Sequence, residues 1–383
     1  MSKASGHKKK LSLTLLSVSM LTIMVGAALA PSLPQISARI GLESYVSLIL
    51  TLPAIGVVLS APFTSRLIDR WGGKGALLLG LAFYGALGVI GAWLSYIPLL
   101  FLDRFLLGCA TSLVMASGTS LIAEHYQGDS RLVMIARQGM AIEVGGVLFL
   151  SLSGAIAQIH WQLPFSLYML AFIFIFIVYA WVPAASRKIV PSKVQRPSTL
   201  TMERDILGIA TLSMLVFFVS FITLPHSLHV MRYSEQGTGF YLGFISLIAV
   251  ISAGLMPVFR RRLAAYPIFG LAFVAYAAGH FLLSIGSGLA VLWGAAILLG
   301  TGFGLTIPLA NYEIILRSEP AARNRNLAYL SSAIFLGQAL SSLIEFWGAS
   351  YSSIFLFAAG FSIIIGGVIL LNCLPRKNDL TLR

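Results

Sequence analysis

Apolar and polar positions in this chain segregate into long blocks instead of alternating. Twelve apolar runs, at 11–30, 45–63, 75–93, 98–121, 132–156, 163–182, 206–228, 240–259, 267–285, 289–315, 327–347 and 352–374, are divided by short polar connectors. At ~1.5 Å rise per residue, about 20 residues cover a ~30 Å hydrocarbon core. Lipid offers no hydrogen-bond partners, so each run is predicted to be an α-helix. The two-residue alternation of a barrel strand is absent. The predicted class is an all-α membrane protein of twelve crossing helices.

Composition supports this reading. The chain is 58% hydrophobic and 10% charged, whereas a soluble domain carries about 25% charged residues. So few charges cannot cover a water-facing surface, but they suit one that faces lipid. The net charge of +13 does not point to nucleic acid, because the basic residues lie in connectors between apolar runs. Cys109 and Cys373 stand far apart and imply neither a disulfide framework nor a metal cluster.

Charge also sets orientation. With both termini on the cytoplasmic side, all but Arg39, Arg104 and Arg232 of the 26 Lys and Arg fall in or beside cytoplasmic segments. The reverse orientation would invert that ratio. Lys8, Lys9 and Lys10 before an apolar run ending Ala28-Leu29-Ala30 imitate a cleavable signal peptide. Pro31 at the would-be cleavage site, and the length of the run, favour a retained first helix.

The connector at 186–205 is polar, contains Pro191 and Pro197, and separates residues 1–185 from 206–383 as two six-helix bundles. Gly108, Arg131 and Gly145 recur 192 positions later as Gly300, Arg323 and Gly337. The shared offset predicts a duplicated unit, and parallel repeats of this kind hold a substrate site between the halves near mid-membrane.

The connector after the second run reads Ser65-Arg66-Leu67-Ile68-Asp69-Arg70-Trp71-Gly72-Gly73-Lys74. It resembles the G-x-L-x-D-R-x-G-R-K element of the major facilitator superfamily. Ser65 replaces the first Gly of that pattern, and Gly73 replaces an Arg. Arg104 and Gly108 fit the family's R-x-x-x-G element in the fourth helix. Gly26, Pro31 and Pro34 resemble an element of drug:proton antiporters, and the stretch from His160 to Phe165 resembles the turn before the sixth helix. In the fifth helix the exporter element G-x-x-x-G-P-x-x-G-G keeps its first and last positions, Gly145 and Gly154, and lacks its proline. The resemblance implies two six-helix bundles related by a pseudo-two-fold axis, working as a monomer by alternating access.

Candidate chemistry follows. Glu143 lies about 12 residues into the fifth run, roughly 18 Å deep. An ionised carboxylate there costs several kcal/mol unless paired or hydrated, which suits a group that takes up and releases protons. Asp103 and Arg104 lie in the outer half of the fourth run. Successive helical positions point about 100° apart, so Arg104 is expected to face the cavity as a substrate ligand and Asp103 a neighbouring helix, with Asp103 a second proton-coupling candidate. Asn311 and Glu345 are further candidates for substrate contact. Asp69, Arg70, Lys74 and Arg131 are read as a cytoplasmic gate. In that gate Asp69 approaches the N-terminus of the eleventh helix, and Arg70 approaches Glu124 or Asp129. His226 and His229 share a helical face, but no third metal ligand is evident.

The sequence carries no metalloprotease pair, nucleophile elbow or phosphate-binding loop, so neither an enzyme nor an ATP-driven pump is expected, and no cofactor is implied. The expected function is secondary transport of a small organic solute across a bacterial inner membrane, as proton-coupled efflux. The alternative is a proton symporter that imports a small organic anion or nutrient.

Overall fold

A computed structural model describes residues 2–41, 45–183, 204–286, 288–319, 322–347 and 350–371. Most of the connector predicted at 186–205 therefore lies outside the described residues, while Arg204 and Asp205 already belong to a helix. Among the described residues, eleven helical stretches are long and apolar enough to cross a membrane. Twelve runs became eleven stretches because the second and third are joined by a bend and not by a loop. Helix α3, Leu48–Ile90, has 43 residues and contains Gly72 at φ 72°, ψ 162°. That left-handed conformation is open to glycine, and it splits α3 into two arms, each one crossing.

The helix of the first run ends three residues earlier than expected. Helix α1, Ser2–Ala27, stops before Pro31 and Pro34 and passes through a 3-10 turn into a short helix α2, Leu33–Ile40. The other helices are α4 (Ile97–His125), α5 (Gly128–Ala157), α6 (Leu170–Trp181), α7 (Arg204–Val230), α8 (Glu235–Arg262), α9 (Ala265–Ile285), α10 (Leu289–Arg317), α11 (Arg323–Ser341) and α12 (Tyr351–Leu371). A 3-10 segment, Leu163–Met169, extends α6 to crossing length.

Burial follows the logic of a lipid solvent. Large apolar side chains such as Phe176, Tyr179, Ile364 and Leu371 point outward and are exposed. Lipid tails are as apolar as leucine, so helices here associate through close van der Waals contact, and small residues allow it.

The 192-residue offset reappears as packing. A Cβ added to Gly108 would strike the carbonyl oxygen of Pro53, and one added to Gly300 would strike that of Ile245, which is Pro53 shifted by 192. Likewise Gly145 abuts Met20 while Gly337 abuts Thr211 and Met214. Tyr84 on α3 donates to the carbonyl of Leu21 on α1, at 2.5 Å. Its counterpart Tyr276 on α9 meets Ser213 on α7, at 2.9 Å, and Ser213 is the counterpart of Leu21. The two halves are copies of one six-helix unit related by a pseudo-two-fold axis.

This packing makes a prediction. Gly108→Ala should cost about 3 kcal/mol through overpacking against backbone. Gly367→Ala, where nothing lies within 4 Å, should be neutral or slightly stabilising. Thermal unfolding of purified protein in detergent measures both. Equal melting temperatures for the two variants would contradict the close approach at Gly108.

Candidate functional site

Helices α5 and α8 form the main seam between the halves. At the end away from the basic connectors they touch through backbone. A Cβ on Gly154 would lie 2.5 Å from the Glu235 carbonyl, and one on Gly239 would lie 2.5 Å from that of Leu150. One turn further along, Gly243 abuts Ser151, and then Gly146 abuts Ser246 at 3.3 Å. Beyond that point the helices part. Gly139 and Gly254, two turns nearer the basic end of the same helices, have no neighbour within 4 Å.

Glu143 stands at this fork, on the α5 stripe that also carries Gly139, Gly146, Val147, Leu150 and Gly154. Its side chain is half-buried, and among the described residues it makes no hydrogen bond or ion pair. Two other contacts close the seam toward the same end. Gln338 on α11 donates to the Leu50 carbonyl on α3 at 3.4 Å, and Gly26 on α1 faces the Phe218 ring on α7. Phe218 belongs to an aromatic group on α7 and α10 in which Phe217 stacks on Phe303 with centroids 4.0 Å apart.

Asp103 and Arg104 depart from expectation. Instead of pointing apart, they pair with each other. Arg104 Nε and Nη2 donate to one oxygen of Asp103 at 2.9 and 2.5 Å. The guanidinium is fully buried, donates to the Leu87 carbonyl at 3.2 Å, and lies over the Phe165 and Tyr168 rings. The flexible arginine stem folds back toward its neighbour, and Gly91, where a Cβ would strike Arg104 Nη2, leaves the room. Arg104 therefore faces the interior of the first half and not the seam. Neighbouring Gly88 likewise seats the Tyr168 ring, and Tyr168 reaches the Met24 and Val25 carbonyls of α1.

At the basic end the four gate candidates separate. Asp69 and Arg70 are exposed, and among the described residues neither has a partner. Arg70 thus does not meet Glu124, which accepts from Ser120 instead and lies 3.1 Å from a Cβ placed on Gly73. The glycine that replaces the family's arginine makes space for that carboxylate. The Asp129 side chain lies outside the described residues. Lys74 donates to the Tyr179 carbonyl at 2.9 Å, tying α3 to α6 within one half. Arg131, at the start of α5, faces Arg323 at the start of α11, and burial together with that like charge lowers its pKa. Helix α11 begins Arg323-Asn324-Arg325 with no acid in its first turn and no side-chain cap. Its end is therefore electropositive by side chains and by dipole together.

Asn311 is half-buried and donates back to Ile307 in its own helix. Glu345 lies in a 3-10 segment, Ser342–Trp347, and its side chain is outside the described residues. The sequence did not reveal two polar clusters. In one, Glu313 accepts from Arg260 at 2.9 Å and Arg317 at 3.0 Å, and Arg317 reaches Asp205, which joins α7, α8 and α10 at the basic end. In the other, Ser213, Tyr276 and Thr306 join hydroxyls between α7, α9 and α10. The pairing of Tyr84 with Tyr276 at the 192-residue offset was the signal that could have found the second. An open recess of about 450 Å³ at Gln35, Arg39, His160 and Trp161 lies on the face opposite the basic end, remote from Glu143.

Known proteins share this architecture. Multidrug resistance protein 1 of Bacillus subtilis is 26% identical over 161 residues, which is 42% of this chain and 41% of that protein. Organic anion transporter 3 of Rattus norvegicus is 29% identical over 151 residues, covering 39% and 27% of the two chains. Each match spans less than half of the relative's length. The crystal structure of a D-xylose–proton symporter superposes with a TM-score of 0.77 at 15% identity, over 95% of this chain and 97% of that one. A sequence profile described as Major Facilitator Superfamily matches residues 15–342. Matched over most of its length and alike in fold, this multi-pass membrane transporter belongs to the Major Facilitator Superfamily.

Proposed function

We propose that the protein is a proton-coupled exporter of small organic solutes in a bacterial inner membrane, with both termini in the cytoplasm. The observation that carries this reading is Glu143, a carboxyl without a partner among the described residues, midway along α5 on the seam where the two halves part. Neutral, it tolerates the dry contact of closed helices; ionised, it calls for water or a donor. Its protonation therefore biases which end of the seam is closed. A proton entering from one side and leaving to the other drives solute the opposite way.

The basic end, assigned to the cytoplasm by its Lys and Arg, is the open end of the seam. Among the described residues Asp69 has no partner there, and the α11 N-terminus with Arg323 and Arg325 has no side-chain cap. These groups are complementary, and closure of the cytoplasmic end brings them together as the gate. Similarity to Multidrug resistance protein 1 supports efflux. Import of an organic anion by symport draws on the similarity to Organic anion transporter 3. The cation assigned to anion binding in that reading, Arg104, pairs with Asp103 and is buried inside the first half, which favours the exporter.

Two outcomes are expected. In inside-out vesicles loaded with acid and probed with ethidium, a lipophilic cation, Glu143→Gln should reduce gradient-driven uptake to the level of vesicles without carrier. Its melting temperature should stay that of the parent. Undiminished uptake in this variant would remove Glu143 from the mechanism. Asp69→Asn should slow turnover about two- to fivefold, the worth of one charge–dipole contact at a helix end, with the affinity for ethidium retained. Normal turnover with weakened affinity would exclude gating by Asp69.

A further inference from the structure

At the end away from the basic connectors, the turn that follows α5 faces the short helix α2 across an open recess. Gln35, Ala38 and Arg39 line its α2 side. Spaced three and four apart, they share one face of that helix. Gln158, His160 and Trp161 line the other side. The volume of about 450 Å³ falls within the ~300–1,000 Å³ that small-molecule sites occupy.

An arginine in this place calls for a reason, because Lys and Arg are gathered at the opposite end. Capping of α2 does not supply one. The helix is closed by Gly41, whose N–H meets the Ser37 carbonyl at 3.0 Å, and among the described residues Arg39 makes no hydrogen bond or ion pair. The end of α5 is closed as well, since the N–H groups of Gln158, Ile159 and His160 meet the Gly154 and Ile156 carbonyls. The lining residues include no acid. Glu235 on α8, whose backbone touches Gly154 one turn before Gln158, does not pair with Arg39.

The opposite wall is fixed in place. Gln162 donates through Nε2 to the Ala92 carbonyl at 2.7 Å, and its backbone N–H donates to His160 Nδ1 at 3.3 Å. A neutral His160 therefore carries its proton on Nε2 and is a donor there. Its ring lies 28° from parallel with the Trp161 ring, centroids 6.1 Å apart. Trp161 is half-buried and packs in part on the core. The recess thus offers a guanidinium, an imidazole N–H and two side-chain amides beside a flat indole.

We infer that this recess binds a planar organic anion of the aryl carboxylate class, with its carboxylate on Arg39 and its ring against Trp161. A guanidinium meets both oxygens of a carboxylate with two parallel N–H groups, and the indole offers its face to a second ring. A lipid headgroup shares the charge of such a ligand but not its ring. Every lining residue belongs to the first half, so the site moves as one body. The inference depends neither on Glu143 nor on the direction of transport.

Calorimetric titration of the full-length protein in phosphatidylcholine nanodiscs with 2-naphthoate tests it. The parent should bind. Arg39→Gln should weaken binding about tenfold, the worth of one charged hydrogen bond, at an unchanged melting temperature. Arg39→Lys, which keeps the charge without the fork, should restore only part of the affinity. Trp161→Leu should weaken binding about threefold, the worth of one ring contact. Glu143→Gln should bind as the parent does. Inorganic phosphate, glycerol phosphate and 2-naphthylmethylammonium should each fail to displace the ligand. No binding by the parent, or an affinity unchanged in Arg39→Gln or in Trp161→Leu, would overturn the inference. Displacement by either phosphate or by the ammonium, or loss of binding in Glu143→Gln, would overturn it as well.

Discussion

Hydrocarbon cannot hydrogen-bond, and the rest of this molecule follows from that. The backbone of each crossing is drawn into helix, and a buried polar side chain is stabilised by a partner inside the bundle. Arg104 finds Asp103, His280 finds Ser220, and Glu313 finds two arginines. Glu143 finds none among the described residues. A half-buried carboxyl without such a partner is costly when ionised, and on the proposed mechanism its place on the seam gives that cost a use.

The duplication supplies the two bodies, and its imperfections divide the work between them. Glycines at matched positions bring matched helices together, so both halves have the same frame. The fillings differ. The first half locks its tyrosine onto a backbone carbonyl and seals a charge pair beneath two aromatic rings. The second half carries alanines at 295 and 296, where the first has Asp103 and Arg104, and a set of hydroxyls that can reorient. The first half thus fills its polar core with a charge pair, and the second with linked hydroxyls.

Much of this was legible in the chain, for identifiable reasons. Crossing helices announce themselves by length and apolarity. The repeat showed through Gly108 and Gly145 because close backbone approach admits glycine and little else. The depth of Glu143 followed from counting residues along a helix. Other features were hidden. The bend at Gly72 looked like a loop because polar residues surround it. The Asp103–Arg104 pair contradicted helical geometry because a long side chain can fold back into the space that Gly91 leaves. The Ser213–Tyr276–Thr306 cluster joins residues 30 to 93 positions apart, and no local pattern records such a meeting.

The central claim is that the halves rock about the seam, so that one end opens as the other closes. Paired spin labels in a cysteine-free background measure this directly, one pair at Gln127 and Arg262 on the basic end and another at Gln158 and Arg232 on the opposite end. Between acid and alkaline pH, the account predicts reciprocal changes, one distance lengthening as the other shortens, and their loss in Glu143→Gln. Distances that stay fixed, or that lengthen and shorten together, would contradict it.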